Sequence, residues 1–320
     1  MKNNVVKNLR IFNSFLERIL PSNVEENKRQ VFDVVKDDVR YMYVVSDREE
    51  VLEGMSKAGS DLDSKRTDGF VVMTHPEDDR YKMMLIVDGN GCILDNKNKK
   101  INNTSDYIVG NFKKWFSNLD HGTLNLFSSI EFNRTLKVYL RKMDGKIRSL
   151  KGEHGAKMIM ALIGPEQTLI ANIGDLRCYL SKGYDIGQYN EEDSKLWSRY
   201  REGYFWNKDE FRFSVDRDKD VLQFGKDKDG FISTYVVDND LYDSIYLFSR
   251  GVVEGLSEDR LLTINSDTPT DRVVDTIVSK SSDGSKEYIS YFDGDTCEVE
   301  PIVRGSKDTT ACVYAKRLIK

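Results

Sequence analysis

Two aspartates beside strand-like segments, and one arginine in a matching position, are the residues of this chain best suited to chemistry. The apolar run Met83–Val87 leads into Asp88-Gly89, and Asp308 precedes the apolar run that closes the chain. An Asp at a strand end, with a Gly that lets the backbone approach closely, suits a hard divalent cation. A third apolar run leads into Arg250-Gly251 instead. A guanidinium carries a permanent positive charge and cannot coordinate a metal, so Arg250 argues against a complete metal site.

These side chains must be positioned by strands that end near one another. Residues 51–180 alternate β-like runs with helical stretches at 106–119 and 124–148. The remainder adds strands, a helix near 271–280 and a closing strand at 310–316. A polar loop is predicted at 96–103.

The first 50 residues form a different kind of region. Apolar residues recur at helical spacing over residues 8–20, and Pro21 ends the pattern. We interpret residues 1–50 as a helical extension packed on a domain of residues 51–320; the alternative is a helix that binds a partner.

Five segments, in chain order, carry a resemblance to a known family. They are residues 66–70 (RTDGF), 87–92 (VDGNGC), 168–180 (TLIANIGDLRCYL), 248–257 (FSRGVVEGLS) and 305–313 (GSKDTTACV). They resemble the motifs of the PP2C or PPM family of metal-dependent Ser/Thr protein phosphatases. The resemblance implies an α+β fold, an α-β-β-α sandwich in which two antiparallel sheets are flanked by helices.

The resemblance also assigns roles to individual positions. In the family, two metal ions share a bridging water that attacks the phosphate. The bridging carboxylate corresponds to Asp88, a carbonyl ligand to Gly89 and a further carboxylate to Asp308, with Asp68 nearby. Position 250, where the family has another metal-binding Asp, holds Arg250. We expect no cofactor, or one weakly bound Mg or Mn ion near Asp88, and we expect Arg250 to serve as the counter-ion of Asp88 and Asp308.

The catalytic set that the resemblance implies is degenerate. Asn90 stands where the family has a His that resembles a general acid, and an amide is a poor proton donor near neutral pH. With Arg250 in a metal position, no catalytic residue set is intact. We therefore predict a catalytically inactive or impaired PP2C-like pseudophosphatase that acts as a protein-binding scaffold or regulator. The alternative is an active Mn- or Mg-dependent protein Ser/Thr phosphatase with an altered metal site.

An aromatic cluster provides the candidates for contacting a protein partner, because exposed aromatics beside arginines are typical interface anchors. Its members are Trp197, Tyr200, Tyr204, Phe205 and Trp206. The net charge of −5 in 320 residues argues against a nucleic-acid partner. No apolar stretch has the roughly 18 residues of a membrane helix, and the N-terminus does not resemble a signal peptide. The four cysteines lack metal-site spacing and are typical of an intracellular, cytoplasmic protein.

Overall fold

The computed structural model describes part of the chain. The described residues are 31–36, 39–44, 50–57, 68–94, 100–152, 154–192, 201–202, 221, 223–226, 232–256, 258–268, 272–282, 286–293, 296–303 and 308–316. They all belong to one compact unit, Val31–Lys320.

The larger of two main sheets has seven strands, and every neighbouring pair is antiparallel. In spatial order the strands are β1 (Val31–Lys36), β2 (Val39–Val44), β3 (Glu50–Lys57), β15 (Thr309–Lys316), β12 (Ser244–Phe248), β9 (Arg177–Lys182) and β10 (Asp185–Gln188).

The second main sheet has six strands and is also antiparallel. Its order is β11 (Ser233–Asp238), β8 (Gln167–Ile173), β7 (His154–Ile163), β5 (Lys82–Leu94) and β4 (Asp68–Thr74), with β6 (Lys100–Asn103) pairing β5. A separate antiparallel hairpin joins β13 (Lys286–Asp293) to β14 (Thr296–Val303).

Helices cover the outer face of each main sheet. The six-stranded sheet carries α1 (Thr104–Ser117), α2 (His121–Asn125) and α3 (Ile130–Arg148), whose apolar faces join its core. The seven-stranded sheet carries α4 (Arg250–Gly255), α5 (Glu258–Asp267) and α6 (Val273–Ser282) in a second core. A short 3-10 helix spans Asn239–Leu241. The layers follow the order α-β-β-α, which confirms the predicted fold class.

The central strands are rigid because both of their faces are buried. Met83–Val87 of β5 are completely buried, because this strand has a sheet on one side and helices on the other. A strand buried on both faces reads as a continuous apolar run rather than an alternating one. The polar residues that remain in these strands are therefore placed on a rigid frame.

Several element boundaries differ from the prediction. β1 and β2 pair onto β3, so the sheet begins at Val31, inside the range assigned to the helical extension. The helix predicted at 8–20 lies outside the described residues. The stretch 124–148 is divided by non-helical residues between α2 and α3, since Ser129 caps a new helix through the Phe132 amide. β5 continues past Asp88 to Leu94, and β6 occupies part of the predicted loop.

Candidate functional site

Strand register places three charged side chains in one row of the six-stranded sheet. Asp68 of β4 is directly opposite Asp88 of β5, and Asp88 is opposite Lys157 of β7. Directly opposed residues of antiparallel strands project to the same face. Two carboxylates and one ammonium group therefore share one end of the sandwich.

The facing sheet contributes hydroxyl groups. Thr310 of β15 donates a hydrogen bond from Oγ1 to Oδ2 of Asp68, at 2.8 Å. Oγ of Ser56 lies 2.9 Å from the same Thr310 oxygen. A hydroxyl has one proton, so when Thr310 donates to Asp68 it accepts from Ser56. Asp68 is thus tied to the opposite sheet through a buried chain of hydroxyls.

Lys157 contacts two carboxylates at this end of the sandwich. Its Nζ lies 3.1 Å from Oδ1 of Asp175 and 3.8 Å from Oδ2 of Asp88. The side chain of Lys157 is 8% exposed and that of Asp175 is fully buried. A buried charge is costly unless it is paired, so the two residues depend on each other.

Arg250 contributes a second cation at the first position of α4. Its Nε pairs with Oε1 of Glu254, one helical turn later. Burial disfavours its charged form, but the carboxylates of Glu254, Asp175 and Asp88 outweigh burial and raise the pKa of Arg250. The ion pair seen here is with Glu254, a partner that the sequence did not predict. Asp88 contributes at longer range.

Asp308 reaches the same region from the start of β15. It is 9% exposed, and its negative charge raises the pKa of both Asp68 and Asp88. Its backbone packs tightly against Gly251, where a Cβ atom would overlap the Asp308 carbonyl. Ser249 anchors the neighbouring strand, since its Oγ accepts from the Thr310 amide at 2.8 Å. The glycine is required here for close backbone approach rather than for an unusual φ.

The protonation of the acids follows from this crowding. Burial, followed by the charges of Asp88 and Asp308, raises the pKa of Asp68 well above its ordinary value, against hydrogen bonds from Thr310 and Ser249. Burial also raises the pKa of Asp88, although Lys157 and Arg250 oppose the shift. Dehydration disfavours the charged form of both acids, and the two cations partly offset this effect at Asp88.

Gly89 and Asn90 occupy the continuation of β5. Gly89 faces the start of α1, where a Cβ would lie 2.7 Å from the Ser105 amide nitrogen. Asn90 is exposed, and its carbonyl accepts a hydrogen bond from Thr104 at 2.8 Å. The strand therefore presents Asn90 to solvent beyond Asp88, on the same face of the sheet.

Comparison with solved structures identifies this architecture. A bacterial serine phosphatase shares 15% identity with a TM-score of 0.64, over 84% of this chain and 98% of the other. The phosphatase Stp1 from Staphylococcus aureus shares 12% identity with a TM-score of 0.62, over 92% and 100%. The PstP catalytic domain, in complex with two manganese ions, shares 12% identity with a TM-score of 0.57, over 83% and 98%.

This chain has the PP2C phosphatase fold. No protein-family model matches its sequence. No curated relative matches it either. At these identities the likeness establishes the fold of this PP2C-like protein and leaves its activity to be argued from the site.

The charges at this end of the sandwich determine whether two metal ions could bind there. Lys157 already neutralises Asp175 and Asp88, and Arg250 adds positive charge at the same end. A dication that shared these carboxylates would meet one ammonium and one guanidinium group. The residues present therefore do not fit a two-metal centre. Within the described ranges, no group of three or more His, Cys, Asp or Glu side chains is placed to hold a metal.

Some of the site residues predicted from the sequence come together in the structure, and others lie outside the described residues. The structure brings Asp68, Asp88 and Asp308 to the same end of the sandwich as Arg250, while Asn90 is exposed beside them. The aromatic candidates Trp197, Tyr200, Tyr204, Phe205 and Trp206 lie outside the described residues. No helix in the described part of the chain has the length and apolarity that crossing a membrane requires.

Three residues of this PP2C-like site were missed from the sequence. They are Lys157, Asp175 and Glu254. A signal existed for Lys157, since it is the one charged residue in the otherwise uncharged run from Gly155 to Pro165. A lysine inside a strand that is buried on both faces needs a partner. The partner could not be named without the register of β5 against β7.

Proposed function

We propose that this protein is a catalytically inactive PP2C-fold pseudophosphatase that binds another protein as a scaffold or regulator. The observation that carries this proposal is the ammonium group of Lys157, 3.1 Å from Asp175 and 3.8 Å from Asp88. An internal cation occupies the electrostatic position that a divalent ion needs. The fold is kept without the charge arrangement that metal-dependent hydrolysis requires.

The electrostatic repulsion between Lys157 and a bound dication would be large. Two unit charges ~4 Å apart, at an effective dielectric constant of ~20, interact by about 4 kcal/mol. A dication at that distance from Lys157 would meet about twice that repulsion, and Arg250 would add to it. Metal-bound water reaches a pKa near 7, whereas bulk water has a pKa of 15.7. Without the metal, the nucleophile is not activated.

Proton donation is also lost. Asn90 follows Asp88 on the same face of β5, where the resemblance places a His, and its amide is not a useful acid near neutral pH. A general acid alone commonly contributes about 10²–10⁴-fold to rate. Either loss is enough to bring turnover near background.

The second candidate function is an active Mn- or Mg-dependent protein Ser/Thr phosphatase with an altered metal site. It is favoured by the retained carboxylates Asp68, Asp88 and Asp308, which lie close together: Asp88 and Asp308 raise the pKa of Asp68, and Asp308 also raises the pKa of Asp88. It would require Lys157 to leave Asp88 when a metal binds.

The decisive experiment measures Mn²⁺ binding by calorimetry together with hydrolysis of a phosphopeptide. We expect no two-site Mn²⁺ binding and no Mn- or Mg-dependent turnover by the natural protein. The double variant Lys157→Thr/Arg250→Asp should gain Mn²⁺ affinity, and Asn90→His should be needed in addition for measurable turnover. A natural protein that turns over at about 1 s⁻¹, an ordinary enzyme rate, and loses that activity in Asp88→Asn would establish the second candidate.

A further inference from the structure

The outer surface of α1 and α3 carries many positively charged side chains that have no role in the site formed by Asp68, Asp88 and Asp308. We call it the basic layer, and its cations are Lys113, Lys114, Arg134, Lys137, Arg141, Lys142, Lys146 and Arg148. Three acids, Asp106, Glu131 and Asp144, lie in the same two helices, so their net charge is +5. The whole chain has a net charge of −5, so the remaining residues carry −10.

Contacts between α1 and α3 hold these charged side chains on one surface. Trp115 of α1 stacks on Tyr139 of α3, with ring centroids 4.7 Å apart and planes 16° from parallel. The Tyr139 hydroxyl donates to the Asn111 carbonyl at 3.1 Å, and Nζ of Lys146 donates to Oδ1 of Asn111 at 3.2 Å. The cations are therefore presented by packed helices rather than by a loop.

Two of these cations have partners among the described residues. Arg148 pairs with Asp144, whose other oxygen accepts from the Gly225 amide. Lys146 contacts Asn111 and the Tyr107 ring. Across the described ranges, no ion pair or side-chain hydrogen bond involves the other six cations of the basic layer. Like charges held together on one face raise the energy of the folded state unless an anion binds.

An exposed apolar residue lies at the centre of the α3 portion. Val138 is 42% exposed. Arg134, Arg141 and Lys142 stand at i−4, i+3 and i+4 from it, which places all three around it on the helix surface. Gly145 lies two turns along the same face, and a Cβ there would meet nothing within 4 Å. The exposed face of α3 therefore presents Val138 surrounded by three cations, with open space beside it.

We propose that the basic layer docks an acidic protein segment, one whose carboxylates surround an apolar side chain that packs on Val138. This inference rests on the protein-binding part of the proposed function and names the surface and the partner chemistry. Carboxylates complement Arg134, Arg141 and Lys142, and an apolar side chain complements the valine they surround. Exposed Arg side chains are frequent anchors of protein interfaces.

The same surface is less suited to nucleic acid or to a membrane. Single-stranded nucleic acid binds through free aromatic faces, but Trp115 and Tyr139 stack on each other. Interfacial membrane helices insert a continuous face of large apolar side chains, whereas the large apolar residues exposed on α3 are Ile130 and Val138 alone. The charge of −10 on the rest of the chain also opposes long polyanions.

The experiment uses fluorescence anisotropy with the full chain and a labelled peptide of alternating Glu and Leu residues. We expect salt-sensitive binding that falls about tenfold in Arg141→Glu/Lys142→Glu. The matched control is Arg272→Glu/Lys280→Glu, two exposed cations at α6 with the same change in net charge. It should alter affinity by less than about twofold. Val138→Asp should weaken binding, and a Glu/Ser peptide of equal charge should bind more weakly than the Glu/Leu peptide.

Four results would overturn the proposal. They are no binding of the Glu/Leu peptide, equal losses in the two charge-reversal variants, tighter binding of single-stranded DNA, and tighter binding of vesicles rich in phosphatidylserine. Circular dichroism of each variant confirms that it remains folded. Phosphopeptide hydrolysis is measured on the same preparations, so turnover would refute the pseudophosphatase proposal without deciding peptide binding. Absent peptide binding would refute the docking surface alone.

Discussion

Nζ of Lys157 lies 3.1 Å from Oδ1 of Asp175, a fully buried carboxylate, and 3.8 Å from Oδ2 of Asp88. The contact joins β7 to β5 and to the segment that follows β8, so it fixes three parts of the six-stranded sheet at one end. The ammonium group neutralises charge on both carboxylates, and in the proposed function it takes the place of a metal ion.

Lys157→Met should destabilise the fold and make it responsive to metal. Removing one partner of a buried pair costs about 3–5 kcal/mol, because the fully buried Asp175 loses the ammonium group that lies 3.1 Å from it. Adding Mn²⁺ should then raise the melting temperature of the variant, while the natural protein should not respond. Thermal unfolding with and without Mn²⁺ measures both effects. The control, Lys280→Met, replaces an exposed lysine and should change neither quantity. A natural protein stabilised by Mn²⁺ as strongly as the variant would contradict this account.

Arg250→Ala should cost about 1–3 kcal/mol of unfolding free energy, since it removes the ion pair with Glu254 and a cation near Asp88. Glu254→Gln should cost less, because Asp175 and Asp88 still attract the guanidinium. Urea denaturation of both variants and of the double variant gives the coupling energy. Additive losses would show that the Arg250–Glu254 ion pair is unimportant.

Gly251→Ala should be strongly destabilising for its size. The added methyl would overlap the Asp308 carbonyl, and overpacking of this kind costs about 1–3 kcal/mol. Gly110→Ala is the matched control, since a Cβ there meets nothing within 4 Å in an exposed part of α1. The control should be neutral or gain up to about 1 kcal/mol from helix propensity. Equal effects at the two glycines in chemical denaturation would argue against the close approach of α4 and β15.

His75 should make stability pH-dependent below neutrality. It is fully buried, its Nδ1 accepts from the Glu77 amide at 3.3 Å, and burial lowers its pKa below the ordinary 6.5. Above pH 6.5 both states are neutral, and the stability is fully present. As pH falls below 6.5 the unfolded state binds the proton first, so stability drops by up to about 1.4 kcal/mol per pH unit until the folded pKa is reached.

The variant His75→Gln tests this dependence. It should lower stability at every pH but reduce the difference between pH 7.5 and pH 5.5, as measured by urea denaturation. His121→Gln replaces an exposed histidine and should preserve that difference. An unchanged pH difference in His75→Gln would show that His75 does not remain neutral in the folded state.

Much of the site was predictable because short-range sequence rules bear on it. Alternation of apolar runs with Gly and Asp, together with the resemblance of the five family-like segments, predicted the sandwich and the convergence of Asp68, Asp88 and Asp308 at one end of it. The identity of Arg250 sufficed to question the metal site, since a guanidinium cannot be a ligand in any fold.

The remainder depended on which strands are neighbours. The partner of Lys157 follows from the register of β5 against β7 and from the turn after β8, and a shift of one residue would move the lysine to the opposite face. The pairing of Arg250 with Glu254 depended on α4 starting at Arg250, which places the two residues one turn apart. The basic layer likewise required α1 and α3 to pack side by side. Residue type alone determined which side chains could carry charge. Long-range strand pairing and helix packing decided which charges meet, because contacts between distant segments arise only when the chain folds.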